Sequence, residues 1–221
     1  CSNAASSSED ASLSYYQRIG PQTFLERSYR LVSPDALLGV TVSGANRDSH
    51  IDLVYVYRTP ENKNLEVGVA LLDTALEIKE RMIARELAPL NDRKCYLWTA
   101  DVDADDTLDV VLAFPHESKS LYVLKGGAND AFGEPKLVSA DVRLANRQQL
   151  AITDVDGDKL PDIIVNNQAA GGIGWFRNEG KMSFEPWKFL IAAESGGHFA
   201  LGDINRDGIE DIAVSYPQAG S

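Results

Sequence analysis

Apolar and polar positions along this chain alternate in short runs broken by acidic turns, and one order of runs recurs. YLWTADVDADDTLDVVLAF (96–114), LAITDVDGDKLPDIIVNNQ (150–168) and FALGDINRDGIEDIAVSYP (199–217) align without gaps. Each is a short apolar run, an acidic loop and a second, β-branched apolar run, a pattern that predicts a two-stranded hairpin. The loops open at Asp101, Asp154 and Asp203, 53 and 49 residues apart. A degraded fourth copy, LLGVTVSGANRDSHIDLVYVY (37–57), aligns Asp52 with the last loop aspartate and has Gly44 in place of the first. After each hairpin comes an aromatic strand, SLYVLKGG (120–127) or GIGWFRNEG (172–180), and then a strand opened by Phe, AFGEPKLVSA (131–140) or SFEPWKFLIA (183–192). In the first unit the matching segments are NLEVGVALLD (64–73) and ALEIKERMIARELAPL (75–90). The second of these has a helix-forming composition, but the repeat predicts a strand.

Four short strands per unit of about 50 residues is the signature of propeller blades. The N-terminal segment fits the same phase. YYQRIGPQTFLERSYRLV (15–32) aligns with WFRNEGKMSFEPWKFL from residue 175, matching Tyr15 and Tyr16 to Trp175 and Phe176, Gly20 to Gly180 and Phe24 to Phe184. The chain therefore opens with the third and fourth strands of a unit and ends, at SYPQAGS, after the first and second. The expected fold is all-β: a β-propeller of four-stranded antiparallel blades, four in number, with the last blade shared by N- and C-terminal strands. Such closure removes an open sheet edge. A piece of a larger propeller, or a head-to-tail dimeric ring, fits the same phases. Residues 15–221 are assigned to the propeller and residues 1–14 to a flexible tether.

The chain has 221 residues, 44% of them hydrophobic, enough for a sizeable core. Its net charge of −12 argues against a nucleic-acid partner, since phosphate binding needs a basic face. No apolar run approaches the roughly 18 to 20 residues of a membrane span. The sequence begins at Cys1 and continues SNAASSSED, a small, polar tether. This start resembles a mature bacterial lipoprotein, which implies lipidation at Cys1; a tag remnant fits the same residues. Cys95, in the apolar run CYLW, is expected to be a buried, inert thiol.

Crowded carboxylates repel one another and call for a cation. Calcium takes six to eight oxygen ligands, several of them charged, whereas magnesium prefers fewer protein ligands in a tighter octahedron. A loop alternating Asp-x-Asp-x-Asp can turn positions 1, 3 and 5 to one centre, with a backbone carbonyl at position 7 and a carboxylate at position 9. The expected ligands are Asp101, Asp103, Asp105, Thr107 and Asp109; Asp154, Asp156, Asp158, Leu160 and Asp162; and Asp203, Asn205, Asp207, Ile209 and Asp211. An EF-hand opens similarly but needs Glu at position 12 and flanking helices. Here position 12 is Leu112, Val165 and Val214, and the flanks read as strands. Without metal, the same aspartates would act as Asx-turn caps.

Loops of this kind between two strands, repeated about every 50 residues, resemble the FG-GAP/VCBS repeats of integrin α-subunit propellers and bacterial surface proteins. The resemblance covers nearly the whole chain from residue 15 and implies up to three calcium sites, each holding a blade's hairpin. Asp106 and Lys159 depart from it at position 6, where Gly normally permits a sharp turn and only Gly208 remains. The Gly44–Asp52 loop, with Asn46, Asp48 and Asp52, is expected to bind no metal.

His50, His116 and His198 stand apart, and no HExxH, GxSxG, P-loop or dinucleotide fingerprint is present. Trp98, Trp175 and Trp187 recur at blade positions and read as core. The expected function is a non-catalytic, calcium-binding scaffold outside the cytoplasm, in the periplasm or on the surface of the bacterial cell envelope, either secreted or lipid-anchored, with a membrane reached only through lipid on Cys1. Its expected partners are other proteins of a surface complex, with a homo-oligomer also compatible. The rival functions are an adhesin that binds carbohydrate or a host protein, and a propeller lyase or hydrolase.

Overall fold

The computed structural model describes residues 11–32, 37–43, 52–59, 64–73, 75, 77–87, 94–115, 120–127, 131–144, 146–192 and 198–215. Every long apolar run among them is a strand. The first blade is β3 (Leu37–Ser43), β4 (Asp52–Arg58), β5 (Leu65–Leu72) and β6 (Ile78–Leu87), paired in that order. The second is β7 (Tyr96–Ala100), β8 (Asp109–Phe114), β9 (Ser120–Leu124) and β10 (Lys136–Ser139). The third is β11 (Leu150–Thr153), β12 (Asp162–Asn167) and β13 (Gly172–Phe176), followed by a small side hairpin of β14 (Asn178–Gly180) and β15 (Ser183–Phe184). Its fourth strand is β16 (Lys188–Ala192). All of these pairings are antiparallel.

The expected strand over 75–90 is β6, which pairs with β5 from Leu65↔Leu87 to Leu72↔Ile78 across two register shifts. Its helix-forming residues yield to the open edge of β5, because tertiary pairing outweighs intrinsic propensity. The Phe expected to open each fourth strand instead precedes it. Phe132 forms a single bridge with Gly126, Phe184 pairs with Asn178, and the fourth strands begin only at Lys136 and Lys188.

The second strand of each blade explains why the blades pack. β8 and β12 are buried at every position. In β8, Val110, Leu112 and Phe114 point into a cluster shared with the first blade's Val54, Val56, Val67 and Val69. Val111 and Ala113 point the other way, into a cluster shared with Ile163, Val165 and Phe176 of the third blade. Successive strand residues face opposite sides, so an unbroken apolar run buries both faces of one sheet. Close approach also fixes some small residues. A side chain at Gly174 would meet the Trp187 ring at 2.4 Å. The tryptophans are half-buried against these clusters, and Cys95 is a buried free thiol. Face-to-face stacking of four-stranded antiparallel sheets makes the fold a β-propeller.

The chain ends depart from expectation. β1 (Ala11–Arg18) starts at Ala11, inside the segment assigned to the tether, and pairs with β2 (Phe24–Val32) as a two-stranded sheet. β17 (His198–Gly202) and β18 (Asp211–Ser215) form another. Among the described residues, these hairpins do not join into the expected shared blade. Each hairpin pairs only within itself, β1 with β2 and β17 with β18. Cys1, the 44–51 part of the first loop with His50, and His116 lie outside the described residues. No helix among the described residues is long and apolar enough to cross a membrane.

Phe114 is among the largest fully buried side chains. Phe114→Ala should lower the free energy of unfolding by about 3–5 kcal/mol, the usual cost of a cavity that size. Urea denaturation checks this, and a loss below about 1 kcal/mol would contradict the two-blade packing of β8.

Candidate metal centres

Each acidic loop joins the first strand of a unit to the second, and its own carboxylates fold it. In the loop Asp101–Asp109, the Asp101 carboxylate accepts from the N–H of Asp105 at 3.0 Å and of Asp106 at 2.8 Å. Asp105 accepts from the Thr107 N–H at 2.8 Å. Asp154 likewise accepts from Gly157 and Lys159, and Asp158 from Leu160. Asp203 accepts from Asp207 and Gly208, and Asp207 from Ile209. Turn-forming aspartates of this kind satisfy backbone donors that the tight loop would otherwise strand.

The turn forces left-handed backbone at two places in each loop. Position 6 has φ of 61° at Asp106, 72° at Lys159 and 89° at Gly208. The left-handed turn expected at this position is therefore present, and Lys159 adopts it despite its side chain. Position 4 is left-handed too, at Ala104, Gly157 and Arg206. Sequence reading missed position 4, because those three residue types share no turn preference.

The ninth residue ties the loop to the sheet. Asp109 accepts from the N–H of Val102 and of Gly126, each at 2.7 Å. Asp162 accepts from Val155 at 2.9 Å and from Asn178 at 2.7 Å. Asp211 accepts from Ile204 at 2.9 Å, and Asp52 of the first blade from Leu72 at 3.1 Å. Asp52, Asp109 and Asp162 have no exposed surface. Burial pushes the Asp109 carboxyl up to about 6, against the pull of its two N–H donors, and raises Asp162 for the same reason.

Positions 1, 3 and 9 converge. One carboxylate oxygen from each of Asp101, Asp103 and Asp109 lies within 4.8 Å of the others, and the same holds for Asp154, Asp156 and Asp162. Asp103 is 9% exposed, and its Oδ1 is buried without a hydrogen-bond partner. An orphaned buried carboxylate oxygen beside two further carboxylates fits a hard cation with oxygen ligands. The expected position-5 ligands lie outside these groups. Asp105 and Asp158 are held by basic side chains that sequence reading did not single out. Lys125 bridges Asp103 and Asp105, the latter at 2.7 Å, and Arg177 bridges Asp156 and Asp158, the latter at 2.8 Å. The Lys125 ammonium, helped by the Thr107 N–H, lowers the Asp105 carboxyl to about 2, and Arg177 lowers Asp156.

The third loop keeps the hydrogen-bond frame with one charge fewer. Asn205 donates its amide N–H to Asp207 at 2.9 Å, and its Oδ1 accepts from the Asp207 N–H at 2.8 Å. Position 2 is a contact between blades. Val102 is buried in the cluster shared with the third blade, and Val155 packs with Phe199, Leu201 and Val214. Ile204, the equivalent residue, is 68% exposed. Asn178, also fully buried, donates its side-chain N–H to the Val102 carbonyl at 2.7 Å and to Pro161 at 2.9 Å, joining two loops.

Asp162→Ala would strand two N–H groups at the loop base. It should destabilise the chain by about 2–4 kcal/mol even in chelator. Asp158→Ala, at an exposed turn, should cost under about 1 kcal/mol. Equal costs, measured by chemical denaturation, would contradict the separate roles of positions 9 and 5.

This geometry agrees with comparisons to known proteins. Residues 154–214, which hold the second and third loops, match the family model described as FG-GAP-like repeat. Integrin alpha-PS5 of Drosophila melanogaster is 35% identical over 81 residues, which covers 31% of this chain and 8% of that protein. The chain thus corresponds to a small part of that relative's length. By its acidic loops, its four-stranded antiparallel blades and these matches, the chain carries an FG-GAP-like repeat on a β-propeller fold.

Proposed function

We propose that this propeller is a calcium-stabilised, non-catalytic module of an extracytoplasmic protein, and that its blade loops present a fixed surface to other proteins. The observation that carries the metal reading is the convergence of Asp101, Asp103 and Asp109 around a buried, unpartnered oxygen of Asp103. The Asp154, Asp156 and Asp162 group repeats that convergence. The loop 203–211 supplies Asp203, Asn205, Asp207 and Asp211 in the same frame. Calcium, when bound, supplies two positive charges and an affinity for oxygen where carboxylates repel. The chain's residues do the rest. Positions 1 and 5 shape the turn, position 3 adds charge, and position 9 joins the loop to both neighbouring strands.

The interaction role is supported by the FG-GAP-like match and by the similarity to an integrin α chain. An extracytoplasmic setting agrees with the loops themselves. Extracellular calcium modules work at dissociation constants on the order of 10⁻⁴ to 10⁻³ M. Partly exposed carboxylates already engaged with backbone N–H groups suit that weak regime.

A ligand that binds only the folded state raises stability with the logarithm of its free concentration relative to its dissociation constant. Calorimetry in millimolar calcium and in chelator should therefore give a higher melting temperature with calcium. Asp203→Ala or Asp207→Ala should shrink that difference. Identical melting curves in the two buffers would rule the metal reading out.

A further inference from the structure

The two basic side chains that reach into the loops occupy one repeat position. Lys125 follows β9, and Arg177 follows β13. Each immediately precedes the residue, Gly126 or Asn178, whose N–H binds the ninth-position aspartate. The first blade offers an internal control. There Leu72 donates to Asp52, so the equivalent of Lys125 is Leu71, an apolar residue packed against the core. That unit's loop lacks the aspartates of positions 1 and 3. The third acidic loop makes a different adjustment. Among the described residues no Lys or Arg reaches its carboxylates, and Asn205 stands at position 3 with its own amide on Asp207. A cation follows the third strand in the two units whose loop has Asp at position 3, and an apolar residue stands there in the first unit, whose loop lacks those acids; the unit of the third acidic loop has no third strand among the described residues.

We propose that Lys125 and Arg177 are tethered counter-ions. They hold the third and fifth carboxylates of their loops in the metal-free protein, compete with calcium for them, and so set each loop's affinity. This rests on the calcium reading above. The chemistry is direct. A carboxylate already neutralised through one oxygen by an ammonium or guanidinium group attracts a divalent ion less strongly, and a fixed positive charge beside that ion repels it. Lys125 is 46% exposed on a flexible stem, so it can swing into solvent. Arg177 is 32% exposed, grips two carboxylates with its planar fork, and also lies 3.6 Å from Glu185, so it yields less readily. Two loops are thereby graded: the Asp101–Asp109 loop releases Lys125 more readily than the Asp154–Asp162 loop releases the more firmly held Arg177.

Calorimetric titration of the full chain with calcium chloride tests this, using Lys125→Met, Arg177→Met and the charge-keeping Lys125→Arg. Each methionine variant should tighten one class of sites by about tenfold, and Lys125→Arg should stay near wild type. In chelator the methionine variants should melt below wild type, because two carboxylates lose their counter-ion. Calcium binding by wild type with unchanged or weaker affinity in both methionine variants would overturn the competition while leaving the calcium reading intact. Absence of binding in every protein, with Lys125→Arg folded by circular dichroism, would overturn both.

Discussion

At the start of each blade's second strand lies an aspartate with no exposed surface, and the loops are built around it. Asp109 and Asp162 each accept two backbone N–H groups, one from the beginning of the loop and one from just past the third strand. A carboxylate can hold two such donors at once, and a neutral aliphatic side chain can hold neither. This tie draws the first, third and ninth positions together. The resulting crowding of negative charge then has to be answered by backbone donors, by a tethered Lys or Arg, by an Asn in place of Asp, or by a metal ion. The chain uses the first three of these answers in different loops.

The same loops also align neighbouring blades. Val102 and Val155 leave their loops to enter the apolar cluster of the following unit, and Asn178 ties the Val102 carbonyl to the next loop. Loop rigidity and blade stacking are therefore one mechanical unit. A loop that loosens withdraws a core side chain as well as a turn. Ile204, 68% exposed at the equivalent position, marks where that continuity stops among the described residues.

Much of this was legible in the sequence because repetition compensates for weak local signals. One Asp-x-Asp-x-Asp run is ambiguous, but three in register with β-branched runs define both the hairpins and the ninth-position aspartate. The repeat also identified β6 as a strand against its helix-forming composition. Lys125 and Arg177 escaped notice because they lie outside the loops, although aligning SLYVLK with GIGWFR places them at one position. The left-handed residues at position 4 were not legible, since Ala, Gly and Arg share no propensity there. The separation of the terminal hairpins was not legible either: their complementary phase is a property of the alignment, and phase alone does not say which edges pair.

Each acidic loop with aspartates at positions 1 and 9 is proposed as a calcium site, and the first blade's loop is not. Equilibrium dialysis of the full chain against radioactive calcium, at up to several millimolar, counts the ions directly. Saturation is expected at about three ions per chain, one for each loop with aspartates at positions 1 and 9. A chain that retains none at those concentrations would contradict it.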